Sequence, residues 1–247
     1  YDRRELDAVL KGSGIECPNL RDYAWVLWDY WERHLDPDLF IDRSLKGSVG
    51  GKVVLITGGS SGIGLAAACK FAEAGAVTII CARGEDKLKE AVAEIHAHVA
   101  AKGGKNAQVF SYSVDIADEA GCAEFVKTLE EKHGGIDILI NNAGRSIRRA
   151  IENSYDRFHD FQRTMDLNYF GCLRVTMGLL PGMVKKRKGH VVNISSIGVL
   201  TNAPRFSAYV ASKSALDAWT RCASSEFADQ GISFTTINMP LVRTPMI

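Results

Sequence analysis

The 247-residue sequence predicts an α/β protein built on a doubly wound parallel sheet, with helices on both faces and a helical arm in front. Three observations carry this. From Gly50 onward, short apolar runs alternate with amphipathic segments of helix length. Strand then helix, repeated, implies parallel strands joined by right-handed crossovers. A glycine-rich turn directly follows the first apolar run, and sheets of this kind bind nucleotides at the carboxyl ends of their strands. The composition agrees, because 46% hydrophobic and 24% charged residues suit a globular core and exclude a disordered or fibrous chain. Thirty Lys and Arg against 29 Asp and Glu leave a net charge of +1, which offers no sequence-wide attraction to nucleic acid or to an anionic membrane.

The arm comes first in the chain. Residues 1–49 hold three of the four tryptophans, and Tyr23, Trp25, Leu27, Trp28, Tyr30 and Trp31 crowd a helical segment that Asp36-Pro37 breaks. A helix this aromatic needs a cover. One reading packs it on the domain, on a neighbouring domain or on a second subunit; the alternative is contact with a membrane or an acyl chain. Lys46-Gly47-Ser48-Val49-Gly50-Gly51 reads as a linker, which sets the domains at 1–49 and 50–247. Strands are expected over 53–57, 77–81, 107–114, 136–141, 190–195 and 233–239, with one dinucleotide-binding domain spanning them all.

No apolar run approaches the roughly 18 residues of a spanning helix, so no transmembrane segment is expected. The six cysteines, at 17, 69, 81, 122, 172 and 222, form no CxxC pair and sit mostly inside apolar stretches. They read as reduced thiols, and a cytoplasmic location follows. His96 and His98 are two apart on a helical stretch and point to different faces, so no metal is expected. Tyr1 in place of Met, and an ending at Ile247 in mid-motif, mark the sequence as a piece of a longer protein whose C-terminal part is missing.

The cofactor end of the site is written in Thr57-Gly58-Gly59-Ser60-Ser61-Gly62-Ile63-Gly64, followed by Leu65-Ala66-Ala67-Ala68, where a helix is expected to start. Gly58 permits the tight turn, Gly62 lets backbone amides approach a pyrophosphate, and Gly64 lets the helix pack closely on the strand. About 20 residues on, an NAD site places an acid on the ribose 2′-hydroxyl. Here the second strand runs into Cys81-Ala82-Arg83-Gly84. A guanidinium fork suits a 2′-phosphate dianion, so Arg83 favours NADP(H); the alternative is a surface arginine with Glu85 or Asp86 on the ribose. Asp115, at the end of the third strand, is placed to accept a hydrogen bond from the adenine amino group. Asn141-Asn142-Ala143-Gly144 ends the fourth strand, and the small Ala143-Gly144 pair leaves room for the cofactor.

The chemistry concentrates in Ser196, at the end of the fifth strand, and in Tyr209-Val210-Ala211-Ser212-Lys213, which opens the next helix thirteen residues later. Tyr209 and Lys213 share a helix face, so the ammonium is positioned to lower the phenol's pKa from its usual value near 10. A phenol tuned in that way can give a proton to a carbonyl oxygen as hydride arrives from a nicotinamide, with Ser196 holding the same oxygen.

With Asn168 in Leu167-Asn168-Tyr169-Phe170-Gly171, these motifs resemble the short-chain dehydrogenase/reductase family over essentially all of residues 50–247. The resemblance implies a Rossmann-like fold and a tetrad. Asn168 would position a water for proton relay, Ser196 orient the substrate, Tyr209 act as acid/base, and Lys213 bind the nicotinamide ribose and tune Tyr209. It also implies pairing of subunits through the helices beside Asn168 and Tyr209, hence a homo-oligomer. One departure stands out: the family's Pro-Gly after the sixth strand is shifted, so that in Met239-Pro240-Leu241-Val242-Arg243-Thr244 a proline takes the glycine's place. Val242 and Thr244 are still expected to contact the nicotinamide carboxamide.

The aromatic arm, the stretch from Asp36 to Asp42 and the run from Pro240 to Met246 resemble, more narrowly, the carboxyl-terminal reductase domain of bacterial alcohol-forming fatty acyl-CoA reductases. That resemblance implies reduction of a fatty aldehyde to an alcohol, with an upstream acyl-CoA reductase domain as partner. The alternatives are a 3-oxoacyl or steroid-like ketone as substrate, and a non-catalytic nucleotide-binding scaffold. Lys185-Lys186-Arg187-Lys188 reads as a solvated helix end. Arg145, Arg148 and Arg149 are read as a solvated loop, with a coenzyme A phosphate or a substrate acid as the alternative.

Overall fold

The computed structural model describes residues 4–14, 19–34 and 42–244, and the chain divides into two compact units, Tyr1–Gly47 and Ser48–Ile247. Cys17, Asp36-Pro37 and the stretch to Ile41, and Pro245-Met246 lie outside the described residues. The first unit holds α1 (Arg4–Leu10) and α2 (Leu20–His34), and no described residue of either helix is buried. Within α2, Trp28 Nε1 donates to Glu32 one turn on at 2.7 Å, and the Trp28 and Trp31 rings lie 5.3 Å apart. These are the one-turn pairings that stabilise a helix locally.

Residues 46–49, expected as linker, are helical as part of α3 (Leu45–Val49). Val49 explains the difference, since its side chain is buried in the core and orders the turn that carries it. The glycines that follow supply a sharp turn, with Gly51 at φ +71° donating its amide to the Gly75 carbonyl at 2.9 Å.

The rest is a strict alternation: β1 (Val53–Thr57), α4 (Gly62–Glu73), β2 (Val77–Ala82), α5 (Glu85–Ala101), β3 (Val109–Ser113), α6 (Glu119–His133) and β4 (Ile138–Asn141). Then come α7 (Phe158–Met165), a π-helical segment (Asp166–Gly171), α8 (Cys172–Lys186), β5 (Gly189–Ser196), α9 (Gly198–Thr201), α10 (Ser207–Glu226) and β6 (Ile232–Met239). Among the described residues the six strands form one parallel sheet in the order β3-β2-β1-β4-β5-β6. Successive side chains of a strand face opposite ways. Leu55 therefore joins a core layer with Leu129, Val175 and Met183 of α6 and α8, while Val54 and Ile56 join one with Ala68 and Ile95 of α4 and α5. Burial on both faces is why the inner strands are almost wholly apolar.

Two details bear on the site. Helix α4 begins at Gly62, three residues before the alanine run that was expected to start it. The first amides of a helix have no partner within it, so glycines cost little there and leave those amides bare. The strand order reverses direction between β1 and β4, which opens a crevice above their carboxyl ends. The cationic end of α8 is exposed, as expected of a solvated helix end; Lys186 Nζ also donates to the Gly134 carbonyl at 2.7 Å, and the Arg187 guanidinium to the Asp229 carbonyl at 2.6 Å.

Candidate active site

The carboxyl ends of the strands surround one cleft of about 1110 Å³. Its floor begins at the glycine turn. Gly58 has φ +66°, and a Cβ there would lie 2.8 Å from the Ala143 Cα; one at Gly64 would collide with the Gly58 carbonyl oxygen. Gly62 has φ +55°, a conformation that favours glycine. Ser60, Ser61, Gly62 and Ile63 line the cleft at the helix N-terminus, where bare amides and the helix dipole favour an anion.

Thr57 holds this floor together. Its Oγ1 accepts from the amides of Asn142 and Ala143, at 3.1 and 3.0 Å, and donates to the Ile140 carbonyl at 3.4 Å. Asn142 answers it, with Nδ2 donating to the carbonyls of Thr57 and Gly58 at 3.0 and 3.1 Å. Asn142 thus lines the cleft while its amide group is spent on the backbone. At the far end, Arg83 and Lys87 both line the cleft, and Arg83 Nη1 lies 3.9 Å from Asp115 Oδ2. Lys87 is a second cation at this end that the sequence reading overlooked; it stands on the first turn of α5.

At the other end lie Ser196, Tyr209 and Lys213. Ser196 and Tyr209 both line the cleft, and the Gly198 amide donates to Ser196 Oγ at 3.1 Å. Burial pushes the Tyr209 phenol above its usual value, with the neighbouring Ser196 hydroxyl pulling the other way. The expected lowering by Lys213 is not seen. Lys213 is buried, and its Nζ donates to the Ile194 carbonyl at 2.6 Å. Burial pushes its own ammonium down, with Cys172 and Asp217 pulling it back up.

Asn168 sits in the π-helical segment, fully buried. Its Oδ1 accepts from the Arg145 amide at 2.7 Å, and its Nδ2 donates to the Arg145 carbonyl and to Ser212 Oγ, each at 2.9 Å. Ser212 in turn donates to the Tyr209 carbonyl at 2.7 Å, so one hydroxyl links Asn168 to the helix turn that carries Tyr209. Gly144 backs onto both groups, since a Cβ there would lie 3.3 Å from Asn168 Oδ1 and 3.7 Å from Lys213 Nζ.

After β6, Pro240, Leu241, Val242 and Thr244 all line the cleft, so the shifted proline does not turn the backbone away from it. Of the three arginines after Gly144, Arg148 lines the cleft. Arg149 instead faces Asp160 at 3.3 Å, together with Arg157 at 3.1 Å and Arg163. Burial raises the Asp160 carboxyl, but Arg157, Arg163 and His159 together hold it below the usual range. Among the described residues no group of His, Cys, Asp and Glu could hold a metal ion, and no helix is long and apolar enough to cross a membrane.

A nucleotide-sized cleft over a glycine turn, with Ser196, Tyr209 and Lys213 lining its other end, defines an oxidoreductase site on a doubly wound sheet. The short-chain dehydrogenase family model matches residues 52–247, and the chain belongs to that family. It is 50% identical over 207 residues to a fatty acyl-CoA reductase of Acinetobacter baylyi, a match covering 84% of this chain and 68% of that one. It is 51% identical over 205 residues to an uncharacterized oxidoreductase of Mycobacterium bovis, covering 83% and 59%. The fold is also that of an actinorhodin polyketide ketoreductase solved with NADPH, with a TM-score of 0.73 at 29% identity, covering 79% of this chain and 72% of that one.

Proposed function

We propose that the protein is an NADP(H)-dependent reductase that converts a long-chain aldehyde to its alcohol. The convergence of Ser196, Tyr209 and buried Lys213 on the end of one cleft is the observation that carries this reading. The cofactor's fit rests on the glycine turn, whose side-chain-free backbone leaves amides open to a pyrophosphate, and on Arg83 and Lys87, which offer a 2′-phosphate two cations. Asp115 would face the adenine, and Val242 and Thr244 the carboxamide.

When bound, NADPH supplies a hydride to the carbonyl carbon. The phenol of Tyr209, kept protonated by burial, gives its proton to the carbonyl oxygen. Ser196 has its oxygen held by the Gly198 amide, which leaves its hydroxyl hydrogen to hold the same carbonyl oxygen. Lys213 lies under the site with one proton committed to Ile194, and its others can reach a ribose hydroxyl. Asn168 braces the helix turn behind Tyr209 through Ser212, and is the residue that would position a relay water.

The aldehyde part of the reading draws on the Acinetobacter relative, whose name assigns it a fatty acyl-CoA. An upstream acyl-CoA reductase activity would supply the aldehyde. We assign a cytoplasmic setting, since four of the five described cysteines are buried and all read as free thiols, and a homo-oligomer as the assembly. A second reading, reduction of a ketone, is favoured by the likeness to a polyketide ketoreductase. Following nicotinamide absorbance with NADPH and with NADH, against a long-chain aldehyde and a matched ketone, separates them. Turnover with NADPH and the aldehyde is expected; turnover with the ketone alone would replace the substrate and keep the mechanism.

A further inference from the structure

Beside the catalytic cleft lies a second, open groove of about 650 Å³, and the two meet at Ala203 and Val210, which line both. One wall is the turn at Ala150-Ile151 after β4; the other is Ala211 on α10, one residue past Val210. The walls are built rather than loose. The Arg149 amide donates to the Arg205 carbonyl at 2.7 Å, tying the two flanking loops together. The Ala150 carbonyl accepts from Ser154 Oγ at 2.9 Å and from the Asn153 amide at 3.1 Å, which fixes the turn.

Ala150, Ala203, Pro204, Val210 and Ala211 give the groove a small apolar lining, Asn202 and Ser207 add two polar groups, and Ile151 is 63% exposed. Charge enters only with Glu152 and Arg205. A nicotinamide dinucleotide would take up much of the main cleft, so a long substrate must leave it somewhere, and this groove opens within one residue of Tyr209. We infer that the groove holds the aliphatic chain of the substrate, with Ala203 and Val210 forming the passage from the reacting carbonyl into it. The assignment rests on the long-chain aldehyde reading and adds where the chain lies and what sets its length.

Each methylene drawn from water into such a groove should strengthen binding about fourfold, the equivalent of ~0.8 kcal/mol per CH₂. The test titrates the full-length enzyme, with NADPH present so that no turnover occurs, with primary alcohols from butanol to dodecanol by calorimetry. Affinity is expected to climb with chain length over at least four carbons. Ala211→Trp and Ala150→Trp, one on each wall, should flatten that climb by filling the groove; if one variant fails to fold, the other still reports. No climb in the unaltered enzyme, or a climb that survives both substitutions, overturns the assignment. A parallel assay of NADPH oxidation with aldehydes of the same lengths keeps the two readings apart. A binding climb without turnover would drop aldehyde reduction and keep the groove, while turnover without a climb would do the reverse.

Discussion

Burial raises the Tyr209 phenol, and the sign of that shift sets a pH dependence. Reduction of a carbonyl consumes the protonated phenol, so its rate should stay level through neutral pH and fall only above the ordinary tyrosine value of about 10. Oxidation of the alcohol needs the phenolate and should climb with pH through that same value. An oxidation rate that levels off near pH 7 would mean that bound cofactor brings Lys213 to act on the phenol after all. Tyr209→Phe should lower turnover by roughly 10²–10⁴-fold with cofactor binding retained, as a fluorescence titration with NADPH would register. Arg83→Ala should weaken NADPH roughly 10- to 150-fold relative to NADH, the range of one charge-assisted hydrogen bond. An unchanged cofactor ratio would pass the 2′-phosphate to Lys87 alone. That Ser196, Tyr209 and Arg83 would gather around one cleft was legible in the sequence, because Ser196 and Arg83 stand at strand ends and Tyr209 opens the helix after Ser196. Thr57 and Ser212 were not, since a hydroxyl's use depends on partners 85 and 44 residues away in the chain, which no local pattern displays.

At the scale of elements, each expected strand overlaps an observed one; β1, β2 and β4 were legible because burial on both faces leaves apolar runs, while the outer β3 and β6 keep polar residues on a more exposed face. The misreadings lie where tertiary contact overrides local propensity. Glycine and serine suggested a linker at 46–51, and the boundary between the two units falls within it, yet buried Val49 orders residues 46–49 as helix. The bond that matters most between elements is the Thr57 bracket, which clips the end of β1 to the end of β4 across the floor of the cleft. Thr57→Val keeps the shape and removes the acceptor, leaving two partly buried amides without it. Unfolding by denaturant should show a loss of about 1–3 kcal/mol. Cofactor affinity should drop as well, because the glycine turn loses its brace. Intact stability would mean that water replaces the hydroxyl.

For the whole molecule, among the described residues, both core layers are built of buried side chains from Val49 to Ile232. No described residue of α1 or α2 is buried, and α2 leaves Trp25 and Trp28 more than half exposed. The dinucleotide-binding unit should therefore keep its stability when residues 1–47 are deleted from the full-length protein. Within these 247 residues such a deletion removes Trp25, Trp28 and Trp31 and leaves Trp219, which packs edge-on against Phe234 of β6 at 6.1 Å. Its emission then follows the unfolding of the sheet without interference from the arm. A melting temperature within about 3 °C of the full-length value is expected, since 1 kcal/mol corresponds to about 2–4 °C in a domain of this size. A fall of ten degrees or more would mean that the aromatic arm shares in the energetics of the core. The choice between a covering helix and a free aromatic surface would then go to the covering helix.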